Sequence, residues 1–164
     1  RYELTKQVSS VTHGHIRSVM ACFYYLEFAK QLIEGKDKFE IYKEQQISMP
    51  KFFSEVGIDQ TEMAHFDRIF NQDISKLAED YIQSGGYVID TLEASLWCLL
   101  TTNDFPSAVL KAVNLGRDTD TTAAVTGGLA GLCYSFEAIP SKWVNAVARK
   151  GDIEELVERF ARSL

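Results

Sequence analysis

Apolar residues recur at three- and four-residue intervals along most of this chain, and nowhere do they alternate over a run long enough for a strand. Between Gly14 and Gly35, Ile16, Val19, Met20, Phe23, Leu26, Ala29, Leu32 and Ile33 keep that spacing, so the stretch reads as a helix stopped by Gly35. Cys22 and Phe28 widen its apolar face, which marks a central helix. Val8 to Thr12 reads as the approach to it. Asp37 opens a second helix, with Glu40 three residues on as a capping-box partner. Pro50 predicts a fresh start and a short segment to Val56, closed by Gly57. Asp59 caps Gln60 to Phe70, with Met63, Phe66, Ile69 and Phe70 on one face.

The second half continues the pattern. Ile74 to Ile82 predicts a shorter helix, and Ser84-Gly85-Gly86 a break. Tyr87 to Leu100 is apolar on most sides, with Trp97 as its largest packing group. Asn103 and Asp104 cap a helix from about Phe105 to Leu115, with Pro106 in its first turn and Gly116 at its end. Small residues fill a helix from about Thr121 to Ser135. Pro140 starts another, carrying Trp143, Val144 and Val147, and Gly151-Asp152 separates it from an amphipathic helix, Ile153 to Phe160. The pattern predicts one all-α domain with short connections, more complex than a four-helix bundle.

Composition narrows the class without naming a function. The 164 residues suffice for one domain with a sizeable core, and 46% hydrophobic with 24% charged residues describes an ordinary globular chain. A net charge of -6 argues against nucleic acid or an anionic membrane as the main partner, and leaves a nucleotide-like ligand open. No apolar run reaches the roughly 18 residues of a membrane span. Cys22, Cys98 and Cys133 are scattered among apolar residues without metal-ligand spacing, so reduced buried thiols and a cytoplasmic setting are expected.

Candidate chemistry concentrates in Asn114 to Gly131. Asp118 and Asp120, two residues apart, would point to different sides of a regular helix and to the same side of an irregular or extended backbone. Gly116 ends the preceding helix, so Arg117 to Asp120 is expected to be irregular, letting both carboxylates and the Thr121 hydroxyl meet a hard cation. Carboxylates about 5–6 Å apart repel by roughly 3 kcal/mol at an effective dielectric of 20, so a partly buried pair needs a proton, an arginine or a metal. Arg117 is the adjacent counter-charge, and the bland alternative is that the two acids simply cap and charge a helix start. Gly127, Gly128 and Gly131 cost a helix about 1 kcal/mol each, which implies close approach by a helix or ligand.

Two other clusters are weaker by themselves. His13 and His15 lack an identifiable third zinc ligand, and read as polar residues near a helix start able to donate to phosphate or ribose oxygens. His65 reads as a surface or rim residue. Gly85 and Gly86 before a helix expose backbone N–H groups, and Tyr87 follows them.

Taken in order, these blocks resemble a family. Thr12-His-Gly-His15, Gly86-Tyr-Val-Ile-Asp-Thr-Leu-Glu-Ala-Ser-Leu-Trp97, Val113-Asn-Leu-Gly-Arg-Asp-Thr-Asp-Thr121 and Thr126-Gly-Gly-Leu-Ala-Gly131 are similar in sequence and order to those of ADP-ribosylglycohydrolases, as is Glu137-Ala-Ile-Pro140…Trp143. The resemblance is weakest from Lys36 to Leu77. It implies an orthogonally packed all-α fold, a magnesium centre, commonly of two ions, and hydrolysis of the bond between ADP-ribose and an acceptor, often arginine. On that pattern Asp118, Asp120 and Thr121 are metal ligands, and His13, Gly85, Gly86, Tyr87 and Val88 lie near the ADP-ribose. Partners would be an ADP-ribosylated protein or small molecule.

The family's N-terminal half, with the Thr-Asp-Asp that completes the metal site and the usual general base, is absent from these residues. They are therefore expected to be the C-terminal portion of such a fold, supplying half of a metal site, with the catalytic base elsewhere and the missing portion as partner. The alternative is a non-catalytic ADP-ribose binder or a crystallin-like structural protein on the same scaffold.

Overall fold

The computed structural model describes residues 1–163, and among them it is all-α. α1 (Tyr2–Ser9) precedes α2 (Ile16–Ile33), so the approach expected from Val8 to Thr12 is the end of a separate helix and a turn. α2 is central, burying Val19, Met20, Phe23, Tyr24, Phe28 and Leu32, and Gly35 at φ +81° follows its end.

α3 (Lys38–Glu55) begins at Asp37, whose carboxylate accepts from the Phe39 and Glu40 amides at 2.9 and 3.2 Å. It passes straight through Pro50, where a break was predicted. A helix-interior proline costs about 3 kcal/mol. Here one face continues across it: Ile41, Tyr42, Gln45, Met49 and Phe53 are all buried, and that burial offsets the lost hydrogen bond.

The segment predicted as one helix from Gln60 to Phe70 is two, α4 (Gln60–Ala64) and α5 (Asp67–Asn71). The next predicted helix is a pair of 3₁₀ turns, Ile74–Lys76 and Glu79–Tyr81. Leu77 between them is extended, and its carbonyl accepts from the Trp97 indole at 3.0 Å.

α6 (Val88–Leu100) is buried continuously from Thr91 to Leu100. α7 (Phe105–Asn114) is capped by Asp104, which accepts from the Ser107 amide at 2.8 Å. α8 (Thr119–Tyr134) packs against α6 and α7, and α2 packs against α3, α6 and α8. A 3₁₀ turn, Phe136–Ala138, leads to α9 (Ser141–Ala146) and α10 (Lys150–Ala161). α10 includes Gly151 and Asp152 rather than starting after them, and its apolar residues are all exposed. The cysteines are free thiols; only Cys98 is fully buried, with Cys22 and Cys133 half-buried.

A buried cation ties the core together. Lys38 Nζ donates to the Leu99 and Thr102 carbonyls and to the Tyr134 hydroxyl, placing positive charge at the carbonyl end of α6. Burial lowers its pKa from the usual lysine value. Lys38→Met removes the donor to the Leu99 carbonyl, while Tyr134 still donates to the Thr102 carbonyl at 2.9 Å, and is expected to cost about 1–3 kcal/mol in denaturant unfolding.

Of the α8 glycines, one is sterically required. A Cβ on Gly127 or Gly131 would make ordinary contacts with Val109 or Phe105, whereas one on Gly128 would overlap the Tyr25 hydroxyl of α2. That hydroxyl donates to the Val125 carbonyl at 3.1 Å. Gly128→Ala is expected to destabilise the fold by about 1–3 kcal/mol, and Gly127→Ala to be neutral or stabilising, in parallel thermal melts.

Candidate active site

The site lies where α8 begins. Gly116 at φ +82° and Arg117 at φ +61° are consecutive left-handed residues, a conformation a non-glycine residue adopts at a cost. They turn the chain between α7 and α8 so that Asp118 stands at the helix threshold. The irregular backbone expected as far as Asp120 ends at Asp118, because Thr119 is already helical and Asp120 lies in the first turn.

A second loop holds this turn in place. The Asp118 amide donates to the Ser84 carbonyl at 3.0 Å, and the buried Ser84 hydroxyl donates to the Gly116 carbonyl at 2.9 Å. Gly86 then passes so close to Asp118 that a Cβ there would sit 2.9 Å from Oδ2. The glycine pair and the acidic motif, about thirty residues apart, are thus one structure.

Asp118 occupies the N-cap position, yet its carboxylate accepts from no backbone N–H. Oδ1 instead accepts from the Thr121 hydroxyl at 2.9 Å. The Thr122 hydroxyl, fully buried, takes the Asp118 carbonyl at 2.9 Å and fixes the first turn. Arg117, the adjacent counter-charge, points away and donates to Gln83 at 3.0 Å. Among the described residues neither Asp118 nor Asp120 forms an ion pair. Asp118 is half-buried, and Asp120 and Thr121 are exposed.

Two carboxylates and a hydroxyl are an all-oxygen donor set, the chemistry that suits a hard cation such as magnesium. No group of three or more His, Cys, Asp or Glu side chains is gathered among the described residues. The donor types suit part of a magnesium shell, the remaining positions falling to water and other ligands, but the irregular backbone expected to turn Asp118 and Asp120 to one side stops short of Asp120.

The histidine segment reaches the same region through a residue the sequence did not single out. His13 is exposed, and His15 caps α2 by accepting from the Arg17 amide at Nδ1, 3.2 Å away. Arg17 grips Glu62 of α4 through Nε at 2.6 Å and Nη2 at 3.2 Å, and its Nη1 donates to the Tyr87 hydroxyl at 3.3 Å. Glu62 is held below the ordinary glutamate value by Arg17, with His15 and His65 adding to the effect. Behind the site, burial raises the Asp90 and Glu93 carboxyls, opposed by Arg68, which meets Glu93 at 2.9 Å. An acid inside an otherwise buried helix was the available signal for that pair.

A family model for ADP-ribosylglycohydrolases matches residues 1–164. The chain belongs to the ADP-ribosylglycohydrolase family. The ADP-ribosylarginine hydrolase Tri1 of Serratia proteamaculans (strain 568) is 45% identical over 81 residues, which is 49% of this chain and 22% of that protein. The ADP-ribosyl-[dinitrogen reductase] glycohydrolase of Rhodospirillum rubrum is 39% identical over 72 residues, 44% of this chain and 24% of that one. A solved structure described as an ADP-ribosylglycohydrolase-related protein complex superposes with a TM-score of 0.77 at 26% identity, over 94% of this chain and 50% of that chain. The chain therefore spans about half of that ADP-ribosylglycohydrolase fold, and the matched segments span under a quarter of these two relatives. No helix among the described residues is long and apolar enough to cross a membrane.

Proposed function

We propose that this chain contributes half of the metal site of a magnesium-dependent hydrolase that cleaves the glycosidic bond between ADP-ribose and a modified acceptor. The observation that carries the reading is Asp118: half-buried at a helix threshold, it caps no backbone amide and has no cationic partner among the described residues. A structural role would account for the helix-start charge and the Thr121 hydrogen bond, but it leaves the second carboxylate oxygen beside Gly86 without a purpose, which argues against the crystallin-like alternative. Arginine on a protein is the favoured acceptor, since relatives 44–45% identical carry the name ADP-ribosylarginine hydrolase.

In this reading Asp118, Asp120 and Thr121 hold magnesium, two ions in the complete site, with further ligands from outside these residues. Bound magnesium would supply Lewis-acid stabilisation of oxygens on the ribose and on water. The chain's own work is positional. Ser84 and Gly86 fix Asp118, Thr121 orients one carboxylate oxygen, and the Gly85–Val88 turn with His13 forms the bed for ADP-ribose. The general base lies in the rest of the polypeptide. Three free thiols fit a cytoplasmic setting.

Release of ADP-ribose from an ADP-ribosylated arginine substrate tests the proposal. The complete polypeptide is expected to release it with magnesium and to stop on chelation, whereas residues 1–164 alone are expected to release none. Chelator-insensitive turnover would sink the metal role. Binding of ADP-ribose by the complete protein without any release would favour a non-catalytic binder.

A further inference from the structure

Arg17 joins three segments that the sequence keeps far apart. Its amide is held by His15 in the first turn of α2, its guanidinium grips Glu62, 45 residues on, and its remaining prong reaches Tyr87, 70 residues on. The Arg17 and Glu62 side chains are 27% and 23% exposed, so the pair is shielded enough to hold one geometry. A two-pronged guanidinium–carboxylate contact fixes the plane of the arginine, which leaves Nη1 aimed in one direction. Tyr87 has the opposite character: it precedes α6, is 42% exposed, and Arg17 is its hydrogen-bond partner at the hydroxyl. The ring is tethered at its tip while much of it remains free for contact.

We infer that Arg17, oriented by Glu62, is a positioning residue that presets the Tyr87 ring for contact with ADP-ribose. The inference rests on the reading above that the Gly85–Val88 turn meets ADP-ribose. A side chain already restrained loses less rotamer freedom on binding than a free one. A purely structural strut between α2 and α4 would stabilise the fold and leave ligand affinity alone.

Calorimetric titration of the complete polypeptide with ADP-ribose in magnesium separates these. Arg17→Lys keeps the charge but cannot grip Glu62 with two prongs while reaching Tyr87. Tyr87→Phe removes the hydroxyl and keeps the ring. Each is expected to weaken ADP-ribose binding about three- to tenfold. The double variant is expected to be no weaker than the worse single one, because both cut the same tether. Magnesium affinity without ADP-ribose should not move. Should Arg17→Lys prove poorly folded, Tyr87→Phe and Glu62→Gln decide by the same measurement. Wild-type affinity in folded Arg17→Lys or in Tyr87→Phe, or fully additive losses, overturns the inference. Absence of ADP-ribose binding in the wild type overturns the reading beneath it, and this inference with it.

Discussion

Asp118→Asn in the complete polypeptide is expected to cut magnesium-dependent release of ADP-ribose by at least about a hundredfold, while its melting temperature stays within about 3 °C of wild type. The substitution keeps the side chain's shape. Its amide oxygen can still accept from the Thr121 hydroxyl, and the other terminal atom still fits beside Gly86. Asparagine is also as good an N-cap residue as aspartate. What it removes is a negative charge that no cation among the described residues pairs with. Losing an outer partner of a metal ligand already costs about 10–100-fold, so losing the ligand's charge should reach at least the top of that range. Asp120→Asn should act in the same direction. If Asp118 were merely a helix-start device, Asp118→Asn would leave both turnover and calorimetric magnesium affinity unchanged.

Gly86→Ala should damage the site nearly as much by a different route. Its Cβ would stand 2.9 Å from Asp118 Oδ2, closer than carbon and oxygen tolerate, and the carboxylate must swing or the loop must shift. The loop has little room to shift, because Ser84 bonds Asp118 and Gly116 on either side of the turn. Displacing the carboxylate is worth about 1–3 kcal/mol, roughly a ten- to hundredfold loss of magnesium affinity. Gly85→Ala is the matched control, since a Cβ there meets nothing within 4 Å and the backbone is not left-handed. Equal magnesium affinities in the two variants would show that Gly86 is there for the turn and not for Asp118.

Both experiments probe a contact that the one-dimensional pattern could not supply. The sequence placed a glycine pair and an acidic motif as separate candidates, each able to pass for a loop or a cap. The structure joins them, and it also disposes of the cheapest counter-charge: Arg117, the arginine adjacent to Asp118, is engaged with Gln83.

What the sequence determined by itself was local. Helix starts at Asp37, Asp59 and Asp104 were legible because a cap and the amides it serves lie within three residues of each other. The central helix was legible because its buried face repeats at the helical period. The acidic motif itself was legible because its glycine, acids and threonine stand next to one another in the chain. What only the tertiary structure decided involves groups 20 to 70 residues apart: the Leu77 carbonyl drawn off by Trp97, Asp118 fastened to Ser84, and Tyr87 tethered to Arg17. The continuous burial on either side of Pro50 belongs with them, since it outweighs a local penalty that the sequence displays openly. Hydrogen bonds within a helix close inside one turn and so are written in neighbouring residues. Bonds between helices depend on which faces pack, and that is settled only when the whole core is buried at once.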